Sequence, residues 1–231
     1  MKSKILGLLA AGLAAIGMTA ANATSLNIDF NIGSETAPAA LGAAAGQSGV
    51  WNGLGSNLTS VWSLVDLNGA ATSVSLSAAT GPFGFSGRSN AAPADVAALL
   101  NDGIRMDISP LEFVFSGLSA GRYLVYSYAL NSDALADGAV VDVLGSAEGA
   151  QSIGGLWAGD FVQGTQYALH AITLSAGNNL TVNVTARPGA TAARIAGFQL
   201  VQARAIPEPG SLALLGLGLA GLGLSRRRKA A

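Results

Sequence analysis

Leu26-Asn27-Ile28-Asp29-Phe30-Asn31-Ile32 places an apolar side chain at every second position with Asn or Asp between, the two-residue period of a strand with one face buried. The same reading extends along the chain. Val61 to Leu67 and Thr72 to Ser77 flank Asn68-Gly69, a dipeptide that readily takes the left-handed turn conformations of a tight hairpin, so these two runs are expected to pair antiparallel. Further strands are predicted at Ile104 to Ile108, Leu111 to Ser116, Tyr123 to Leu130, Val140 to Leu144, Tyr167 to Leu174, Leu180 to Ala186 and Arg194 to Val201. Pro93 to Leu100 is the one helical patch, with Pro93 tolerated in a first turn and Asp102-Gly103 closing it. Short strands punctuated by Gly, Asn and Asp predict an all-β fold, an antiparallel β-sandwich or jelly roll with one short helix. Ala37 to Gly49 reads as a small-residue loop of low complexity.

Composition sets the outer bounds. The chain has 231 residues, 31 of them glycine, with 50% hydrophobic and 11% charged residues, which excludes a disordered, highly charged tail protein. Thr24 to Ile206, 183 residues, fits one domain with a real core. Six arginines, no lysine and twelve carboxylates give that segment a net charge of −6, whereas binding phosphate backbones needs a basic stripe. Nucleic acid is therefore not expected as a partner. The absence of cysteine excludes disulfides, thiolate catalysis, cysteine-ligated zinc and anchoring through a lipidated cysteine.

The N-terminus has the form of a secretion signal. Lys2 and Lys4 precede an uncharged stretch of 14 residues, Ile5 to Met18, and Ala21-Asn22-Ala23 puts small side chains where a signal peptidase reads. Cleavage after Ala23 is expected, making residues 1–23 a signal peptide and the secretion machinery and signal peptidase early partners. A retained membrane helix is the other reading. Its 14 apolar residues would reach only about 21 Å of a hydrocarbon core about 30 Å thick.

The C-terminal 25 residues, 207–231, have three parts in order: Pro207-Glu208-Pro209, the uncharged run Gly210 to Ser225, and Arg226-Arg227-Arg228-Lys229. Two prolines around a glutamate hold an extended segment suited to an enzyme's cleft. The run carries seven leucines interspersed with Gly216, Gly218, Gly221 and Gly223, apolar all round and marginally long enough to span a membrane. The basic cluster acts as a cytoplasmic stop. This arrangement resembles the PEP-CTERM sorting signal of Gram-negative bacteria. The resemblance implies recognition by an exosortase, a polytopic membrane cysteine protease or transpeptidase, after transient residence in the inner membrane. It further implies delivery to the cell surface or extracellular matrix and an association with exopolysaccharide and biofilm. A plain C-terminal anchor, leaving a tail-anchored periplasmic domain, would not need the Pro-Glu-Pro triplet.

Within the domain at 24–206, four stretches resemble galactose-binding-like jelly rolls: Trp51-Asn52-Gly53-Leu54, Leu67-Asn68-Gly69, Gly117-Leu118-Ser119-Ala120-Gly121-Arg122-Tyr123 and Ile195-Ala196-Gly197-Phe198-Gln199-Leu200. That resemblance implies a carbohydrate-binding module as an alternative role, by analogy of fold.

Catalytic patterns fail on context. Gly117-Leu118-Ser119-Ala120-Gly121 has the spacing of a nucleophile elbow, but that device needs a helix after the serine and a strand is predicted instead; it reads as a hairpin turn. His170, the single histidine, lies among core-type residues and reads as structural. Gly216 to Gly221 matches a dinucleotide-binding glycine pattern without the required βαβ unit. Glu35, Glu112 and Glu148 sit in no recognisable motif, so no enzyme and no cofactor are expected. A structural calcium is the one metal option: Asp133, Asp137 and Asp142 cluster around a turn, and Asp66 with Asn68 could also offer oxygens. For sugar binding, a flat ring can stack on the apolar face of a pyranose. Trp51 and Trp157 lie in glycine-rich segments and are the carbohydrate-stacking candidates, with burial as their alternative role, whereas Trp62 sits in a strand pattern and reads as core.

Overall fold

The computed structural model describes residues 24–31, 35–55, 61–78, 84–85, 92–106, 110–129 and 138–203. The signal segment, the sorting segment, Asp133 and Asp137 lie outside them. Among the described residues, fourteen strands and one helix follow in order. β1 (Leu26–Phe30), β2 (Trp51–Leu54), β8 (Gly121–Tyr128), β11 (Tyr167–Leu174) and β14 (Gly197–Ala203) form a five-stranded sheet in the order β11-β8-β14-β1-β2. A six-stranded sheet runs β10-β9-β12-β7-β4-β3, built from β3 (Trp62–Val65), β4 (Ala71–Ala78), β7 (Leu111–Ser116), β9 (Ala139–Val143), β10 (Gln151–Ile153) and β12 (Leu180–Ala186). A small third sheet joins β5 (Gly84–Phe85), β6 (Ile104–Met106) and β13 (Ala193–Ile195). The helix α1 spans Ala94–Leu100 with Pro93 at its N-cap, where a missing N–H leaves no bond unmade.

The fold is the expected all-β sandwich with one short helix, antiparallel except where β2 runs parallel to β1. Alternation supplies its core: on β7, Leu111, Phe113 and Phe115 point inward, and on β12, Leu180, Val182 and Val184 do the same. Four phenylalanines join the two large sheets. Phe30 stacks on Phe113 at 5.2 Å, and Phe198 meets Phe30, Phe113 and Phe115 edge-on at 5.1–5.8 Å, geometries that favour aromatic pairs beyond their area burial. Trp62 packs partly buried against this core, in agreement with its strand pattern.

Three expectations need correction. β1 is buried on both faces: Asn27 and Asp29 are as inaccessible as Leu26 and Ile28, because α1 and the segment 35–49 cover the outer side of the sheet. The run Arg194 to Val201 is two strands, since the chain passes at Ala196 from the small sheet to the five-stranded one. There the Ala196 N–H donates to the Tyr128 carbonyl at 2.7 Å and its carbonyl accepts from Phe30 at 2.8 Å. Gly117 to Gly121 is not a hairpin within one sheet but a crossover between the two large sheets. Gly117 needs φ +80°, and a Cβ there would collide with the Ser73 carbonyl oxygen. The Asn68-Gly69 hairpin joins β3 and β4 as expected, with Asp66 Oδ1 accepting from the N–H groups of Asn68 and Ala70 at 2.8 and 2.9 Å.

Candidate functional site

Two cross-strand rows define the outer face of the five-stranded sheet. Register places Gly53, Asp29, Gly197, Tyr128 and Tyr167 in one row, and Trp51, Asn27, Gln199, Tyr126 and Leu169 in the next. The half nearest β2 is closed by segment 35–49, whose backbone is held by side-chain amides. Gln199 Nε2 donates to Asn27 Oδ1 at 2.9 Å and to the carbonyls of Gly42 and Gln47 at 3.3 and 3.2 Å. Gln199 Oε1 accepts from the Tyr128 hydroxyl at 2.5 Å, and that hydroxyl accepts from the Ala44 N–H at 3.1 Å. Gln47 reaches back to Asn27 Oδ1 at 2.8 Å. Each amide offers two donors and an acceptor at fixed spacing, so it can satisfy backbone groups of a loop too poor in side chains to bury itself.

Asp29 lies in this layer with no accessible surface. One carboxylate oxygen accepts the Ala37 N–H at 2.8 Å, and the other has no hydrogen-bond partner. Burial, reinforced by the neighbouring Asp102 carboxylate and only partly offset by the Ala37 bond, pushes its pKa up to about 8, because removing a carboxylate from water disfavours the charged form.

The half nearest β11 is aromatic. Trp157 meets Phe161 edge-on at 5.3 Å, Phe161 meets Tyr128 at 5.7 Å, and Tyr167 lies 6.2 Å from Tyr128 and 5.7 Å from Tyr126. Tyr128 is fully buried beneath the other four, which are each half-buried. Burial, with Tyr167 alongside, raises the Tyr126 pKa above its usual value, so its phenol remains a hydrogen-bond donor at neutral pH. The loop carrying Trp157 and Phe161 is folded around one buried side chain: Gln166 Nε2 donates to the Leu156 carbonyl at 2.7 Å and its Oε1 accepts from Val162 at 3.1 Å. Gly154 to Thr165 and Gly164 to Tyr167 backbone bonds, both 2.8 Å, close the loop. It presents Leu156, 63% exposed, and Val162, 44% exposed.

The residues singled out in sequence therefore separate. Trp51 is 5% exposed and its indole N–H donates to the Leu41 carbonyl at 3.2 Å; it is a core residue of the covering layer and has no face free for a sugar. Trp157 is half-buried within the aromatic group. Asp142 sits half-buried on β9 opposite Asn183, and among the described residues no three His, Cys, Asp or Glu side chains come together. Asp66 and Asn68 form the hairpin turn, Asp66 spending one carboxylate oxygen on backbone N–H groups. His170 is buried, with Nε2 2.9 Å from the Gly149 carbonyl. Ser119 Oγ lies 3.1 Å from the Tyr123 hydroxyl and accepts from Gln202 Nε2 at 2.9 Å. Glu148 accepts the Ala171 N–H at 3.2 Å, which holds its carboxyl below the usual glutamate range. Sequence reasoning passed over Tyr126, Tyr128, Phe161 and Tyr167. The alternation of Tyr126 and Tyr128 about Ser127, on the parity opposite Tyr123 and Val125, was the available sign of an aromatic outer face.

Residues 205–229 match the PEP-CTERM protein-sorting motif, which implies an exported protein processed at the membrane by an exosortase. No curated protein matches the chain. Among solved structures the chain is similar to extracellular domains from Arabidopsis thaliana. The ANX2 ectodomain has TM-score 0.46 and 12% identity, with 78% of this chain and 49% of that one covered. The ANXUR2 extracellular domain has TM-score 0.45 and 11% identity, with 78% and 41% covered. The ANX1 ectodomain has TM-score 0.45 and 10% identity, with 79% and 42% covered. The chain thus spans less than half the length of each of these ectodomains.

Proposed function

We propose that this is a non-enzymatic envelope or extracellular-matrix protein of a Gram-negative bacterium, exported through a cleaved signal peptide at 1–23 and sorted by an exosortase acting at Pro207-Glu208-Pro209. The match at 205–229 carries this reading. In it, the apolar run holds the chain transiently in the inner membrane, Arg226, Arg227, Arg228 and Lys229 fix its orientation, and the β-sandwich is the cargo placed at the cell surface, in association with exopolysaccharide or biofilm. The test is to follow Pro207→Ala/Pro209→Ala beside the unchanged protein through cell fractionation. The unchanged protein is expected to lose its tail and leave the inner membrane, and the double variant to accumulate there at full length. Identical size and distribution of the two would overturn sorting and favour a tail-anchored periplasmic domain.

A second reading, that the sandwich acts as a carbohydrate-binding module for the host's own polysaccharide, is favoured by the half-buried Trp157 in its ring cluster.

A further inference from the structure

Each large sheet ends in two edge strands, β11 and β2 in the five-stranded sheet and β10 and β3 in the six-stranded one. None of the four contains a lysine, arginine, proline or carboxylate, the residues that commonly keep an edge from pairing with another chain. Side-chain amides stand in their place at both seams of the sandwich. Where β2 faces β3, Asn52 Oδ1 accepts from the Val65 N–H at 2.8 Å and Asn52 Nδ2 donates to the Val65 carbonyl at 2.9 Å. Where β10 faces β11, Gln151 Nε2 donates to the Leu169 carbonyl at 2.6 Å and Gln151 Oε1 accepts from the Leu169 N–H at 3.4 Å. In both places an amide from the edge strand of one sheet takes up the N–H and the carbonyl of one residue on the edge strand of the other, as a further strand would.

β11 is the long edge. The other three edge strands have three or four residues and β11 has eight, about 26 Å of strand. Alternation turns the backbone groups of Tyr167, Leu169, Ala171 and Thr173 away from β8 and toward this edge. Gly164 N–H donates to the Tyr167 carbonyl at 2.8 Å, Gln151 takes Leu169, and the Glu148 carboxylate accepts the Ala171 N–H at 3.2 Å. Between the last two, the buried His170 donates from Nε2 to the Gly149 carbonyl at 2.9 Å, which pins the segment that carries Glu148 and Gln151. The single histidine thereby positions the cover of the edge.

From this arrangement we infer that Asn52 and Gln151 are clasps closing the two seams, and that Gln151 with Glu148 keeps β11 from pairing, antiparallel and edge to edge, with β11 of a second copy of this chain. The second copy is the occupant because the strand is self-complementary. Reversed upon itself about Ala171, β11 sets Leu169 beside Thr173 and His170 beside Ile172, with no like charges opposed, and two identical edges related by a two-fold axis close into a pair. With Glu148 in place, each copy would bring a carboxylate to the same seam, and like charges brought together there oppose pairing.

The experiment is sedimentation equilibrium on the full protein purified from its host, in a mild detergent throughout so that the reading does not depend on whether the tail has been removed. The unchanged protein is expected to have the mass of one chain. Glu148→Ala/Gln151→Ala, with its near-ultraviolet circular dichroism retained, is expected to roughly double its weight-average mass as concentration rises. Adding Thr173→Pro, which removes an outward N–H that an edge strand can spare, is expected to restore the single-chain mass. If the double variant fails to fold, Gln151→Glu keeps the side-chain length, sets a carboxylate against the Leu169 carbonyl and carries the same prediction. A folded clasp variant that stays at the mass of one chain, association that Thr173→Pro leaves intact, or an unchanged protein that already pairs and is separated by Thr173→Pro would each overturn the inference.

Discussion

The Tyr128 hydroxyl donates to Gln199 Oε1 at 2.5 Å across neighbouring strands, and this one bond joins the two halves of the sheet's outer face. Tyr128 supports the aromatic group from below, while Gln199 holds segment 35–49 through Asn27, Gly42 and Gln47. Replacing Gln199 by Leu strands several buried polar groups at once and is expected to cost about 3 kcal/mol in urea unfolding. Tyr128→Phe removes this bond and the one the hydroxyl accepts from the Ala44 N–H, and is expected to cost about 1–2 kcal/mol. Segment 35–49 contains no lysine or arginine but many alanines, so elastase, not trypsin, reports its release. Faster elastase cleavage there in Gln199→Leu is expected, and unchanged cleavage would show that the amides do not hold the loop.

Asp29 makes stability depend on pH. Its pKa rises from 3.8 to about 8 on folding, so the native state binds the proton more tightly than the unfolded chain. The contribution is full below pH 3.8 and is lost as pH rises through about 8. Melting temperature is expected to fall from pH 5 to pH 9 in the unchanged protein and to fall less in Asp29→Asn, with the variant the more stable of the two at the alkaline end. Parallel profiles would show that Asp29 is ionised throughout.

The two tryptophans separate by energetics. Trp51→Ala empties a buried site and loses the bond to Leu41, for an expected cost of about 3–5 kcal/mol. Trp157→Ala removes a half-buried ring resting on Phe161 and is expected to cost roughly 1–2 kcal/mol. Equal costs in urea unfolding would contradict the burial difference between them.

Much of the frame was legible because local pattern and tertiary environment agree there. Leu111–Ser116, Tyr167–Leu174 and Leu180–Ala186 form strands with the bounds their alternation predicts. The helix begins one residue later than read, after Pro93. What alternation cannot show is a second layer. Asn27 and Asp29 look like a solvent face, yet a loop of alanines and glycines covers them, and no periodicity marks that loop as a lid. Trp51–Leu54 does not announce itself as a strand, since four residues paired parallel to β1 carry no period of their own. The aromatic group draws on Tyr126, Tyr128 and Tyr167 from two strands and on Trp157 and Phe161 from a loop, a convergence set by register across the sheet and invisible along the chain. The sorting motif at 205–229, by contrast, is a linear segment and so is readable along the chain.

Intact mass with C-terminal peptide sequencing, on the protein purified from its host by cell fraction, tests the central claim most directly. Export and sorting predict a species that begins at Thr24, ends near Pro207 to Pro209 and is found outside the inner membrane, with any excess mass marking an attached sugar or lipid. A species that retains residues 210–231 and stays confined to the inner membrane would contradict the account.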